Sequence, residues 1–300
     1  MGHGHDHFES ARSGNRKALA WALLITVSIM FLEFFGGLFT NSLALIADSG
    51  HMLSDAAALL LSLGVIWFAG KAASANKTYG YYRFEIIAAF FNGITLFLMA
   101  GFIIYEAYDR FYHPPEIRGG WMLAIASIGL LANVLSAWVI SRKGDVHDNL
   151  NMKSAYLHVI SDALGSVGAI IAGLLILFFD WTIADPIISV LVALLILRSA
   201  WSVLQKSIHI LMEGTPVTVN VEEVKRMLMA IEGVRDVHDL HIWTITSGLD
   251  LLTCHLDIDE RSEEQVILKK AVALISEKCR IEHTTIQIEK PDFDHHDLQV

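Results

Sequence analysis

Six apolar runs, each long enough for a membrane helix, dominate this chain: roughly residues 18–39, 43–69, 84–108, 119–141, 154–179 and 186–207. A helix needs about 20 mostly apolar residues to cross a hydrocarbon core. In that solvent every backbone N–H and C=O must be satisfied within the segment, so runs of this kind become helices. Composition agrees: 54% of residues are hydrophobic and only 18% charged, with mean hydropathy +0.48. Soluble domains carry about 25% charged residues. A net charge of -10 excludes the basic footprint of a nucleic-acid binder. Cys254 and Cys279, the only cysteines, both follow the last run and imply no disulfide framework. Residues 1–17 are polar and contain His3, His5 and His7, unlike a signal peptide.

The short polar segments assign orientation. Arg12, Arg16, Lys17, Lys71, Lys77, Arg83, Arg142, Lys143 and Lys153 fall on one side, against only Arg110 and Arg118 on the other. The positive-inside rule then predicts a multi-pass protein of the cell membrane with both termini cytoplasmic. Arg198, inside the sixth run, can snorkel to that face. Gly214-Thr215-Pro216 marks a change in composition. The expected domains are therefore a cytosolic His-containing tail over 1–17, a six-helix transport bundle over 18–213, and a cytosolic domain over 214–300.

In that last region Val221–Ile231 has helical spacing behind a candidate Asn220 cap, and Arg235–Thr246 and Asp250–Asp259 read as strands around Ser247-Gly248. Ser262 with Gln265 resembles a capping box for a helix to about Arg280, and Thr284–Glu289 alternates again. The order α-β-β-α-β predicts a small two-layer α+β domain.

Chemistry sits inside the membrane. The second run contains His51-Met-Leu-Ser-Asp55-Ala, and the fifth His158-Val-Ile-Ser-Asp162-Ala. Residues i and i+4 share a helix face, so each segment presents one imidazole beside one carboxylate. A charged Asp at mid-membrane costs roughly 2.5–3.5 kcal/mol, which a partner or a function must offset. Two His and two Asp make the four N/O ligands of a tetrahedral zinc site. The bland alternative, polar pairs bonding across helix interfaces, explains one such pair more readily than two matching ones. The runs are antiparallel, and the two halves would form an inverted repeat around a central site. Asp48 shares the His51 face nearer the outer mouth, as an exit-path acid or a satisfied structural carboxylate. Glu33, Asn133 and Ser154 are further polar candidates, read as helix-to-helix bonds rather than ligands.

Asn41-Ser-Leu-Ala-Leu, Asp48-Ser-Gly-His51-Met-Leu-Ser-Asp55, Thr78-Tyr-Gly-Tyr-Tyr-Arg83-Phe-Glu85, Tyr156-Leu-His158-Val-Ile-Ser-Asp162, Asp185-Pro186 and His238-Asp-Leu-His241-Ile-Trp243 together carry a resemblance. The chain resembles the cation diffusion facilitator family in its zinc-exporting branch, of the bacterial cobalt-zinc-cadmium resistance type. That resemblance implies a homodimer, proton-coupled zinc export with cadmium or cobalt as further cargo, and a ferredoxin-like, metallochaperone-like cytosolic domain. It also implies a charge contact between Arg83 and Glu213 at the dimer junction. Lys71–Thr78 lacks the acidic and His ligands that some relatives carry there, so no metal site is expected in that loop.

The resemblance further favours His255, His283 and Glu289 as a regulatory zinc site in the cytosolic domain, completed by His241 or His238. Three residues apart on a strand, His238 and His241 are expected on opposite faces. The alternative is that these histidines pack at a dimer interface. The tails holding His3, His5 and His7, and His295 and His296, are expected only to sample metal. No cofactor is expected beyond metal ions, and the partners are divalent metal and protons. An intramembrane metalloenzyme would need an open coordination position and a His-Glu-x-x-His helix, which the chain lacks. The remaining alternatives are a passive divalent-metal channel or a metal sensor.

Overall fold

The computed structural model describes residues 23–53, 56, 74–143, 150–246 and 248–291. Among them, five helices are long and apolar enough to cross a membrane. These are α1 (Leu23–Thr40), α3 (Arg83–Tyr112), α4 (Gly119–Lys143), α5 (Leu150–Phe179) and α6 (Ala184–Leu211). A shorter apolar helix, α2, is described over Leu43–Leu53. The outward faces confirm the solvent: Phe35 and Phe91 are each 61% exposed and Leu195 68%, surfaces that only lipid or a partner would cover.

The chain divides into two compact units, residues 1–63 with 91–203, and 64–90 with 204–300. In the first, helices meet through small residues. Ala100 and Ala107 of α3, Ala193 and Ala200 of α6, and Ala47 of α2 are buried in one cluster. Ala126 of α4 packs with Ala169 and Ala172 of α5 in another. Where lipid is as apolar as leucine, close backbone approach rather than hydrophobicity drives helix association, and alanine permits it.

The second unit contains α7 (Val221–Met229), β1 (Val234–Thr246), β2 (Leu249–Ile258), α8 (Glu264–Cys279) and β3 (His283–Glu289). The strand order is β1-β2-β3, with β1 antiparallel and β3 parallel to β2. One sheet face meets the helices: Leu252, Cys254, Leu256 and Ile258 alternate along β2 and pack with Val224 and Leu228 of α7 and Ile267, Ala271 and Ile275 of α8. The Asn220 side chain accepts from Glu223 N at 3.2 Å and caps α7. At α8 the expected capping box does not form. Its cap is Glu263 rather than Ser262, without a side-chain bond, because the Ser262 N–H closes a turn onto Asp259 O at 2.9 Å.

Candidate metal centres

In the helical unit, α2 and α5 bring together part of the duplicated motif. Asp162 is buried on α5, and His51 of α2 interacts with it electrostatically. Asp55 lies outside the described residues; His158 lies on α5 with its side chain outside them. Asp48 is buried on α2, one turn before His51. His3, His5, His7, His295 and His296 also fall outside the described residues.

In the second unit the sheet face away from the helices carries the histidines. Strict alternation would put Val237 and Ile242, five residues apart, on opposite faces, yet both lie in the core. The strand reconciles them with a bulge. His238 pairs with His255 and His241 with Thr253, so β1 spends one residue more than β2 between the two pairs. Asp239 there has φ +48°. The bulge corrects the expectation that His238 and His241 face opposite sides: both point away from the core. Asp239 then reaches His241 Nε2 at 2.8 Å and His255 Nε2 at 3.6 Å.

His238, His255 and Glu289 converge, their ligand atoms all within 4.8 Å of one another. Glu289 Oε1 lies 2.9 Å from His255 Nδ1, and Oε2 lies 3.4 Å from His238 Nε2. Metal–ligand bonds near 2.0–2.2 Å put tetrahedral neighbours roughly 3.3 Å apart, so this donor set fits a zinc ion with little movement. Gln287 donates to Glu289 Oε1 at 2.8 Å and fixes the carboxylate, as an outer-shell partner of a metal ligand does. The sequence leaves His238 and His241 as alternatives; the bulge places His238 beside His255 and Glu289. His283 sits apart: it pairs with Leu251, four residues along β2 from His255, and its ring meets Tyr79 at 6.5 Å.

Beside this face, a cleft of about 800 Å³ is lined by Lys77, Tyr79, Arg83, Glu213, His241 and Trp243, among others. Arg83 Nη2 donates to Glu213 Oε1 at 2.8 Å across it. Glu213 follows the end of α6 at φ +59°, a position that favours glycine. A non-glycine residue accepts a penalty of roughly 1–2 kcal/mol there, and this one brings the carboxylate that Arg83 holds.

Comparison with known proteins matches this architecture. Residues 19–212 fit the family profile described as cation efflux transmembrane domain, and residues 216–291 that of the cation efflux protein, cytoplasmic domain. A Bacillus velezensis protein named cadmium, cobalt and zinc/H(+)-K(+) antiporter is 48% identical over 98% of this chain and 94% of its own length. Zinc transporter ZitB of Pectobacterium atrosepticum is 43% identical over 98% and 92%. The metal cation efflux system protein CzcD of Cupriavidus metallidurans is 42% identical over 96% and 90%. Matched from its first apolar helix to the end of its sheet, the chain belongs to the cation efflux, or cation diffusion facilitator, family.

Proposed function

We propose that this protein exports zinc from the cytosol in exchange for protons, as a homodimer in the cell membrane with both termini cytoplasmic. The observation that carries the reading is the approach of His51 on α2 to buried Asp162 on α5. Asp55 and His158 complete the four-ligand transport site in this reading. The run 43–69 supplies the sixth span, and the domains divide at 1–17, 18–213 and 214–300. The α-β-β-α-β domain is ferredoxin-like and dimerises the chain. It holds a regulatory zinc through His238, His255 and Glu289, with His241 and Asp239 alongside. The Bacillus velezensis relative's name extends the cargo to cadmium and cobalt and the counter-ions to potassium.

Zinc binds neutral imidazole and ionised carboxylate, so loading releases protons. Free imidazole titrates near pH 6.5. On an acidic outer side, protonation of His51 and His158 competes with zinc and favours release; facing a near-neutral cytosol, the same groups deprotonate and rebind. The protein works as a secondary transporter rather than an enzyme.

The test is zinc flux in proteoliposomes under an imposed pH gradient, with cadmium, cobalt, iron and manganese as competitors. Zinc should move against the proton gradient. Flux indifferent to that gradient would make a passive channel the better reading.

A further inference from the structure

A second polar chamber lies beside the transport site, its carboxylates within electrostatic reach of Asp162. Glu33 of α1 and Asp48 of α2 are 0% and 2% exposed. Ser166 of α5 donates to Glu33 Oε1 at 3.4 Å. Glycine makes the room: a Cβ on Gly129 of α4 would overlap Glu33 Oε1, and one on Gly165 of α5 would overlap Asp48 Oδ1.

Asn133, 1% exposed, lies one turn beyond Gly129 on the same face of α4. Helical side chains lean toward the N-terminus, so its amide leans back toward the space that Gly129 leaves for Glu33. Among the described residues, neither amide atom of Asn133 has a hydrogen-bond partner, and the Glu33 and Asp48 carboxyls stand in hydrogen-bond contact with each other. Neither carboxylate has a lysine or arginine beside it there. Buried polar atoms left open in this way need an occupant.

We propose that this chamber is a second ion site and that it takes a dehydrated potassium ion, the counter-cation returned in exchange for zinc. The inference rests on the exchange reading above and deepens it. Glu33, Asp48, Ser166 and the Asn133 carbonyl offer up to about six oxygens and no ring nitrogen. Such a shell suits a hard cation, whereas imidazole suits zinc. Two adjacent buried carboxylates cannot both stay ionised without a positive charge between them.

Position supplies the coupling. Ser166 is one turn past Asp162 on α5, and Asp48 one turn before His51 on α2, so the chamber sits about 5 Å along the helices from the transport ligands. Two cations that close in a low dielectric repel strongly. Occupation of one site therefore empties the other, which is what exchange requires.

The test uses full-length protein in proteoliposomes with equal pH on both sides and a potassium gradient opposing zinc, N-methylglucamine replacing potassium. Wild-type zinc exchange should accelerate several-fold. Glu33→Gln and Asn133→Ala should lose that acceleration while still binding zinc and responding to a pH gradient. Rubidium-86 should bind the wild-type protein and be displaced by zinc, a readout that survives if a variant fails to fold. Variants that keep the potassium response, or that lose zinc binding with it, overturn the proposal. A wild type driven by pH but not by potassium also overturns it and leaves zinc–proton exchange standing. A wild type indifferent to both gradients removes the exchange reading itself.

Discussion

The Asp185 carboxylate, at the second residue of α6, accepts the Ser42 hydroxyl at 2.6 Å and so closes the start of α2. It also accepts the N–H groups of Leu43 at 2.8 Å and Ala44 at 3.1 Å, as a cap from another helix. Arg110 of α3 stands 3.6 Å from the same carboxylate and donates to Asn41 O at 2.6 Å. Removing one member of such a buried charged network costs about 3–5 kcal/mol. Asp185→Ala should lower the thermal midpoint in detergent strongly, and Asp185→Asn less. An alanine variant as stable as wild type would show that the clasp is not structural.

Asp55→Ala or Asp162→Ala should abolish zinc flux in vesicles while leaving a folded dimer. His51→Asp should widen competition toward cadmium, because an oxygen-richer shell relaxes the preference that two imidazoles impose. Normal flux in either alanine variant, or an unchanged competition profile in the third, would remove those residues from the site.

Arg83 and Glu213 are 37% and 62% exposed, so their ion pair contributes only about 0–1 kcal/mol to stability. The contact matters for position instead. Arg83→Glu and Glu213→Arg should each impair transport with little change in melting, and the double reversal should restore it. Failure of the rescue would mean that the two residues act separately.

With the transport ligands replaced in the full-length protein, His238→Ala and Glu289→Ala should each weaken residual zinc binding by more than about tenfold, since even outer-shell partners are worth 10–100-fold. His283→Ala should weaken it far less. Equal losses in a calorimetric titration would mean that His283 belongs to the ligand set.

Burial pushes the Cys254 thiol up to about 12. Cys279 also rises, through burial and then the nearby Glu223. The thiolate is the reactive form, so Cys254 should resist alkylation in the native protein and react only on unfolding. The sign for stability is the same: the folded state holds the Cys254 proton more tightly. Its contribution is intact below the ordinary thiol range and is lost as pH climbs toward 12. Rapid native labelling of Cys254 would contradict the packing of β2.

The sequence carried the helices because membrane solvent forces long apolar runs, and the strands because one sheet face had to be apolar. It hid whatever depends on distant partners. Ser42 and Asp185 stand 143 residues apart, so no local pattern announces their bond. Glu33 and Asp48 read singly as stray polar residues; only the packing of α1, α2, α4 and α5 shows one chamber. The bulge at Asp239 escaped because strand reading assumes unbroken alternation, and one extra residue reverses every assignment beyond it. Ser262 looked like a cap by spacing, but its backbone was committed to the preceding turn.

β1 has a further consequence for the life of the domain in solution. It is an edge of the three-stranded sheet and, at 13 residues, a long one. A straight edge of that length would template the addition of foreign strands. Its ladder is instead interrupted between Val234 and Asp236, between His238 and His241, and between Thr244 and Thr246. Each interruption bends the ribbon and spoils the spacing that an incoming strand must match. The irregularity that gathers the histidines thus also guards the domain against aggregation.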